Sequence, residues 1–249
     1  MNKGSVSQIL LITDGCSNQG EDPVAVSRHI VSTGVSVNVI GVLDDDQTEE
    51  PIGLREVNEI AEAGKGVSRI VYADDLSETM QMVTQQAMTQ TIQGYVNQEL
   101  KSILGDETNE EALPPETRGE VQEVMEDLSE TVDLNMVILV DTSASMQTKM
   151  SAVKEALDDL MISLDARQGQ FMYTVYQFPT RKQVVKLLLD WTDDGKRIAK
   201  VFPKFAVGGI TPTGAALREA AKAFHISEQD DVMRGAAYDV IDPSYRSSS

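Results

Sequence analysis

The sequence predicts an α/β fold: a doubly wound, mostly parallel central sheet flanked by helices. Three observations predict it. Short apolar runs that read as buried strands, QILLIT (8–13), VSVNVIGV (35–42) and MVILV (136–140), carry almost no polar residue, as strands covered on both faces do. Segments with apolar residues at helical spacing separate them. Aspartates with hydroxyl or glycine neighbours close two of the runs, at Asp14 and Asp141, where ligands collect in doubly wound sheets.

The elements follow in order. After the strand Gln8–Thr13, Asp14-Gly15 makes a turn, and Pro23 to Ser32 places Val24, Val26 and Ile30 at helical spacing. Strand Val35–Val42 comes next. Leu54, Val57, Ile60 and Ala61 step along a second helix that Gly64 and Gly66 end. Arg69–Tyr72 reads as a short strand. A long helix starts near Asp75 and buries Leu76, Met80, Val83 and Ala87. Residues 1–94 form this first part.

Residues 95–133 differ in character. Acidic side chains dominate, with Lys101 and Arg118 as the cations, and Pro114-Pro115 interrupts regular structure. The segment reads as an acidic linker with a short amphipathic helix (Val121, Val124, Met125, Leu128, Val132), more a solvated tether than a docking element. Residues 134–226 resume the α/β pattern. Strand Met136–Val140 precedes a helix burying Met150, Val153, Leu157, Leu160, Met161 and Leu164. Phe171–Phe178 and Gln183–Leu189 read as a strand pair. Ile198, Val201 and Phe202 suggest a short helix, and another runs from Gly214 to Phe224. Residues 227–249 are polar and read as a frayed tail.

Composition narrows function. The net charge of −19 argues against a nucleic-acid partner and an anionic membrane surface. The single cysteine, Cys16, excludes an internal disulfide and a CxxC zinc site, and it reads as incidental. With two histidines, His29 and His225, a histidine-based metal site is disfavoured. The apolar run at the start is too short for a signal peptide, and no segment has the length of a membrane span. The expected location is the cytoplasm.

Three motifs carry chemistry. Asp141-Thr-Ser143-Ala-Ser145 places three oxygen side chains at alternate positions on a strand-to-helix turn; helix capping is the simpler use of such residues. Gly208-Gly-Ile-Thr211-Pro-Thr213-Gly214 allows a tight turn that presents Thr211. The glycine spacing resembles a phosphate-binding loop, but Ala215 and Ala216 stand where lysine and a hydroxyl residue are needed. Asp14-Gly15 alone is an ordinary turn.

Together, DxSxS (141–145), GGITPTGAAL (208–217) and LITDG (11–15) resemble the von Willebrand factor A family. The resemblance implies a metal-ion-dependent adhesion site made by Asp141, Ser143, Ser145, Thr211 and Asp14. It implies Mg²⁺, with Mn²⁺ or Ca²⁺ as alternatives, because the donors are hard oxygens. It also implies a partner protein that presents an Asp or Glu to the ion, and binding rather than catalysis. A Mg²⁺-dependent phosphohydrolase using Asp141 is the competing reading; it wants a second aspartate where Ser143 stands. One feature departs from the family: its motif order runs DxSxS, threonine loop, TDG, whereas here TDG comes first. A circular permutation joined by segment 95–133 accounts for this, closed within one chain as a monomer or between two as a swapped dimer.

Overall fold

The computed structural model describes residues 4–15, 17, 19–43, 52–104 and 114–224. Cys16, the acidic run 106–111, His225 and the tail 227–249 lie outside the described residues.

One sheet of six strands organises the chain, in the order β3-β2-β1-β4-β5-β6. The strands are β1 (Ser5–Thr13), β2 (Val35–Leu43), β3 (Lys65–Tyr72), β4 (Asp133–Asp141), β5 (Phe171–Phe178) and β6 (Lys186–Thr192). β1 lies between β2 and β4 and runs parallel to both, with Ile9 level with Val37 on one side and Val137 on the other. β3 and β5 extend the parallel set; β6 alone is antiparallel, against β5. Strands from the first third of the chain and from its second half therefore share one sheet, paired at β1–β4.

Helices cover both faces. Those of the first part are α1 (Pro23–Val31), α2 (Ile52–Ala63) and α3 (Leu76–Leu104). They are followed by α4 (Pro115–Thr131), α5 (Met150–Asp165) and α6 (213–224). The continuous apolar character of the strands follows from this cover. In β4, Met136, Ile138 and Val140 point to the α3/α5 face while Val137 and Leu139 join the core under α2 and α6, as strand alternation requires. Each such side chain, fully buried, contributes about 1.5–3 kcal/mol. Among the described residues no helix is long and apolar enough to cross a membrane.

Several elements differ from the sequence reading at their edges. α3 runs on past residue 94 to Leu104, and Val96 in that extension still packs against the core. α4 is held, not free: it packs on α3 and buries Met125, although Val124 stays exposed. β6 begins at Lys186 rather than Gln183, because residues 180–183 form a turn closed by the Thr180 hydroxyl. The helix expected around Ile198 consists of two short 3₁₀ turns, Gly195–Lys200 and Phe202–Lys204.

Candidate metal centre

β1 and β4 are adjacent and parallel, so the residues that end them emerge together at the carboxyl edge of the sheet. Asp141 is the last residue of β4, and Asp14 follows the last residue of β1. That placement needs no further device; strand register fixes it.

Asp141 is fully buried. Its Oδ2 accepts a hydrogen bond from the Thr13 hydroxyl at 2.8 Å, and its Oδ1 accepts the Ser143 backbone N–H at 2.7 Å. The Thr13 hydroxyl in turn accepts the Gly15 N–H at 3.2 Å. Burial pushes the Asp141 carboxyl up to about 6, and the charge of Asp14 adds to the rise; the bonds from Ser143 and Thr13 oppose it. At neutral pH the group is thus mainly a buried anion held by neutral donors, an arrangement that favours a cation nearby.

The two serines stand side by side, with hydroxyl oxygens 3.1 Å apart. Ser143 is buried and Ser145 exposed, so the pair leads from the sheet edge toward solvent. Neither caps a helix through its side chain: the 3₁₀ turn Ala144–Met146 and α5 both begin without a side-chain cap. The capping use of these residues therefore gives way to one in which their hydroxyls face each other.

Asp14 is held differently. Its Oδ2 accepts from the Lys149 ammonium at 3.2 Å, and the same ammonium donates to the Ser145 carbonyl at 3.3 Å. Lys149 is only 3% exposed. It stands at the N-terminal boundary of α5, the end of a helix dipole that repels cations. The Asp14 carboxylate, across the sheet edge, offsets that cost.

Thr211 is buried. Its hydroxyl joins none of the hydrogen bonds above; backbone contacts place its loop. The Gly208 N–H donates to the Thr142 carbonyl at 2.7 Å, which ties the loop to the residue between Asp141 and Ser143. Beyond Thr211, a Cβ at Gly214 would lie 2.2 Å from the Glu21 carbonyl, so only glycine lets α6 start against the chain entering α1.

The structure thus brings Asp141, Ser143, Ser145 and Asp14 into one hydrogen-bonded cluster with Thr13 and Lys149, and sets Thr211 on a loop anchored beside them. Thr13 and Lys149 are additions to the sequence-derived set. Among the described residues no group of three or more His, Cys, Asp or Glu could hold a metal, so any ion here depends on the hydroxyls and carbonyls as well as the two carboxylates. Hard, mostly neutral oxygens fit Mg²⁺, Mn²⁺ or Ca²⁺.

Known proteins are similar to this chain in sequence and fold. A family model for the von Willebrand factor type A domain matches residues 136–234. The protein YabS of Bacillus subtilis strain 168 is 53% identical over 224 residues, covering 90% of this chain and 91% of YabS. A solved structure from Alicyclobacillus acidocaldarius is 39% identical with a TM-score of 0.83, and the match covers 92% of this chain and 97% of that one.

Proposed function

Because the chain belongs to the von Willebrand factor type A domain family, we propose that it is a metal-dependent protein-interaction module. In this reading Asp141, Ser143, Ser145, Thr211 and Asp14 hold one Mg²⁺, and the ion binds a carboxylate of a partner protein. Mn²⁺ and Ca²⁺ suit the same donors.

The observation that carries the reading is the state of Asp141: a fully buried carboxylate whose recorded hydrogen-bond donors, the Thr13 hydroxyl and the Ser143 amide, are both neutral. With the Ser143 hydroxyl as a third neutral donor, the carboxylate still has lone-pair capacity for an ion or its water. Ser143, Ser145 and Thr211 add neutral oxygens. When bound, the metal supplies a strongly electrophilic position that prefers an anionic ligand. Thr13 keeps Asp141 oriented, and Lys149 holds Asp14 at the rim.

The same observation favours binding over phosphoryl transfer. Asp141 is fully buried, a position that a small cation or its water can reach more easily than the phosphorus of a phosphate ester. Ser143 sits where an acid–base group would be needed.

The motif order fits a circular permutation in the same reading. β1 with its TDG turn and β4 with its DxSxS turn are neighbours in the sheet although far apart in sequence, and segment 95–133 makes the joint. Closure within one chain gives a monomer; closure of the same β1–β4 joint between chains gives a swapped dimer, which sedimentation distinguishes.

Calorimetric titration of Mg²⁺ into the wild type, Asp14→Ala and Asp141→Ala tests the site, with circular dichroism confirming that each is folded. The expected outcome is one ion bound by the wild type and none by either variant. Equal binding by wild type and Asp14→Ala would sink the five-residue site.

A further inference from the structure

Next to the aspartate–serine cluster, the β5–β6 loop and the threonine loop enclose a cavity of about 710 Å³. Its charged lining residues are Arg181, Lys182 and Lys186. All three are exposed, and none forms an ion pair with an acidic side chain among the described residues. In a chain with 40 acidic and 21 basic residues, a cavity whose charges are all positive stands against the surrounding field. Its lining also includes an exposed apolar side chain, Val207 at 41%, and Ile210, 54% exposed, follows on the same loop.

The cavity is built, not a chance gap between mobile side chains. Buried Gln177 clamps the threonine loop with both ends of its amide, accepting from the Ala206 N–H at 3.2 Å and donating to the Ala206 carbonyl at 3.4 Å. The Thr180 hydroxyl closes the opposite wall, accepting from the Gln183 N–H at 3.0 Å and donating to the Gln183 carbonyl at 2.6 Å. Gly209 seats against Pro179, where a Cβ would lie 2.9 Å from the ring, and its φ of +109° suits glycine. The bond from Gly208 to Thr142 then connects the cavity wall to the backbone between Asp141 and Ser143.

We propose that this cavity is the second half of the partner site. It takes an acidic side chain of an extended peptide segment, whose apolar neighbour rests on Val207 and Ile210, while another carboxylate of the same segment meets the metal. The proposal rests on the metal-site reading for that first carboxylate, but the cavity's own role is separable from it. The chemistry favours an acidic peptide on two counts. Arginine and lysine in a cleft focus positive potential and form charge-assisted bonds to carboxylates. The acidic remainder of the surface repels such a peptide, so it docks at this face and few others.

The test uses the full chain and a fluorescein-labelled eight-residue peptide of alternating Asp and Leu, read by fluorescence anisotropy. Its Asn/Leu counterpart is the control. Wild type, Asp141→Ala and the triple variant Arg181→Gln/Lys182→Gln/Lys186→Gln are compared with Mg²⁺ and with EDTA, at low and high salt. The triple variant changes exposed positions only, and circular dichroism verifies its fold. We expect the Asp/Leu peptide to bind the triple variant about tenfold more weakly than the wild type, with a flatter salt dependence. In EDTA the wild type should retain weaker, salt-sensitive binding that the triple variant lacks. Binding that needs the cavity but ignores Mg²⁺ and Asp141→Ala supports the cavity and overturns the metal reading. Binding that needs Mg²⁺ but is the same in the triple variant overturns the cavity and leaves the metal reading standing. Equal binding of the Asn/Leu peptide, no binding of the Asp/Leu peptide, or its displacement by an equal concentration of an eight-residue thymidine oligonucleotide each overturns the acidic-peptide assignment.

Discussion

Asp14 and Asp141 close neighbouring parallel strands at one edge of the sheet, yet they are held in opposite ways. Asp141 is wholly buried and fixed by neutral donors, the Thr13 hydroxyl and the Ser143 amide. Asp14 keeps 12% of its side chain exposed and is held by a cation, Lys149. A carboxylate among neutral donors keeps its full charge available to an ion. One already facing an ammonium has its field partly neutralised, and an ion must share it. The strand edge therefore offers one fixed anchor and one adjustable arm, and the threonine loop is tied to the anchor's side through Thr142.

The largest expected effect comes from removing the anchor. Asp141→Ala leaves the Thr13 hydroxyl and the Ser143 amide without their buried acceptor, at about 1–3 kcal/mol each, less the relief of a buried charge. Denaturant unfolding in EDTA should show a net loss of about 2–4 kcal/mol, and added Mg²⁺ should no longer raise stability. A loss below about 0.5 kcal/mol would show that Asp141 is not the anchor described here.

Titration gives the next effect. The Asp141 carboxyl is raised from 3.8 to about 6 in the fold. A raised acid binds its proton more tightly folded than unfolded, so the stability it contributes is fully present below about 3.8 and is lost as pH rises through about 6. Metal-free protein should therefore lose on the order of 2 kcal/mol between pH 4 and pH 7.5 from this group. Asp141→Asn should remove that part of the slope. Thermal unfolding of the two proteins in EDTA across this range checks it; parallel profiles would mean that burial does not set the protonation of Asp141.

Most of the fold was legible because strands buried on both faces must be apolar throughout. β1, β2 and β4 could be read directly, and their terminal aspartates came with them. The oxygen set was legible because Asp141, Ser143 and Ser145 are close in sequence, as are Gly208, Gly209 and Thr211. Lys149 was not legible in the same way. Its partner Asp14 is 135 residues away, and no local pattern encodes a contact made through strand pairing. A signal did exist: a lysine at the N-terminal boundary of α5 opposes the helix dipole, and a broken local rule marks a site where something distant compensates. Thr13 was hidden as the last residue of an apolar strand. α4 looked like a tether because acidic side chains dominate its segment; the contact that buries Met125 is made on α3, and no local pattern encodes it. The cationic cavity was invisible in a composition with net charge −19, since a sum over the chain says nothing about where its cations gather.

The adjustable arm yields a smaller effect and a sharper test. In a cycle of Asp14→Ala, Lys149→Met and the double variant, each single change removes one side of a nearly buried ion pair. Each should cost about 1–2 kcal/mol in EDTA, and the double variant should cost less than their sum by at least about 0.5 kcal/mol. Lys149→Met should also bind Mg²⁺ more tightly, by a few-fold, because the ammonium no longer shares Asp14. Additive costs would mean that the 3.2 Å contact carries no coupling. Unchanged Mg²⁺ affinity would mean that both cations use Asp14 without competing.

The smallest effect lies behind the arm. The Ser17 amide donates to Glu56 Oε2 at 2.7 Å, which ties the loop after Asp14 to α2. Burial raises the Glu56 carboxyl above its ordinary value, and that hydrogen bond opposes the rise. Glu56→Ala should cost no more than about 1 kcal/mol of stability, since one hydrogen bond at a half-buried position is lost. If the loop needs this tie to keep Asp14 in place, Mg²⁺ affinity should fall about threefold while Asp141's pH dependence stays as in the wild type. If affinity is unchanged, strand register and Lys149 suffice to place Asp14, and the adjustable arm is set entirely from the side of β4 and α5.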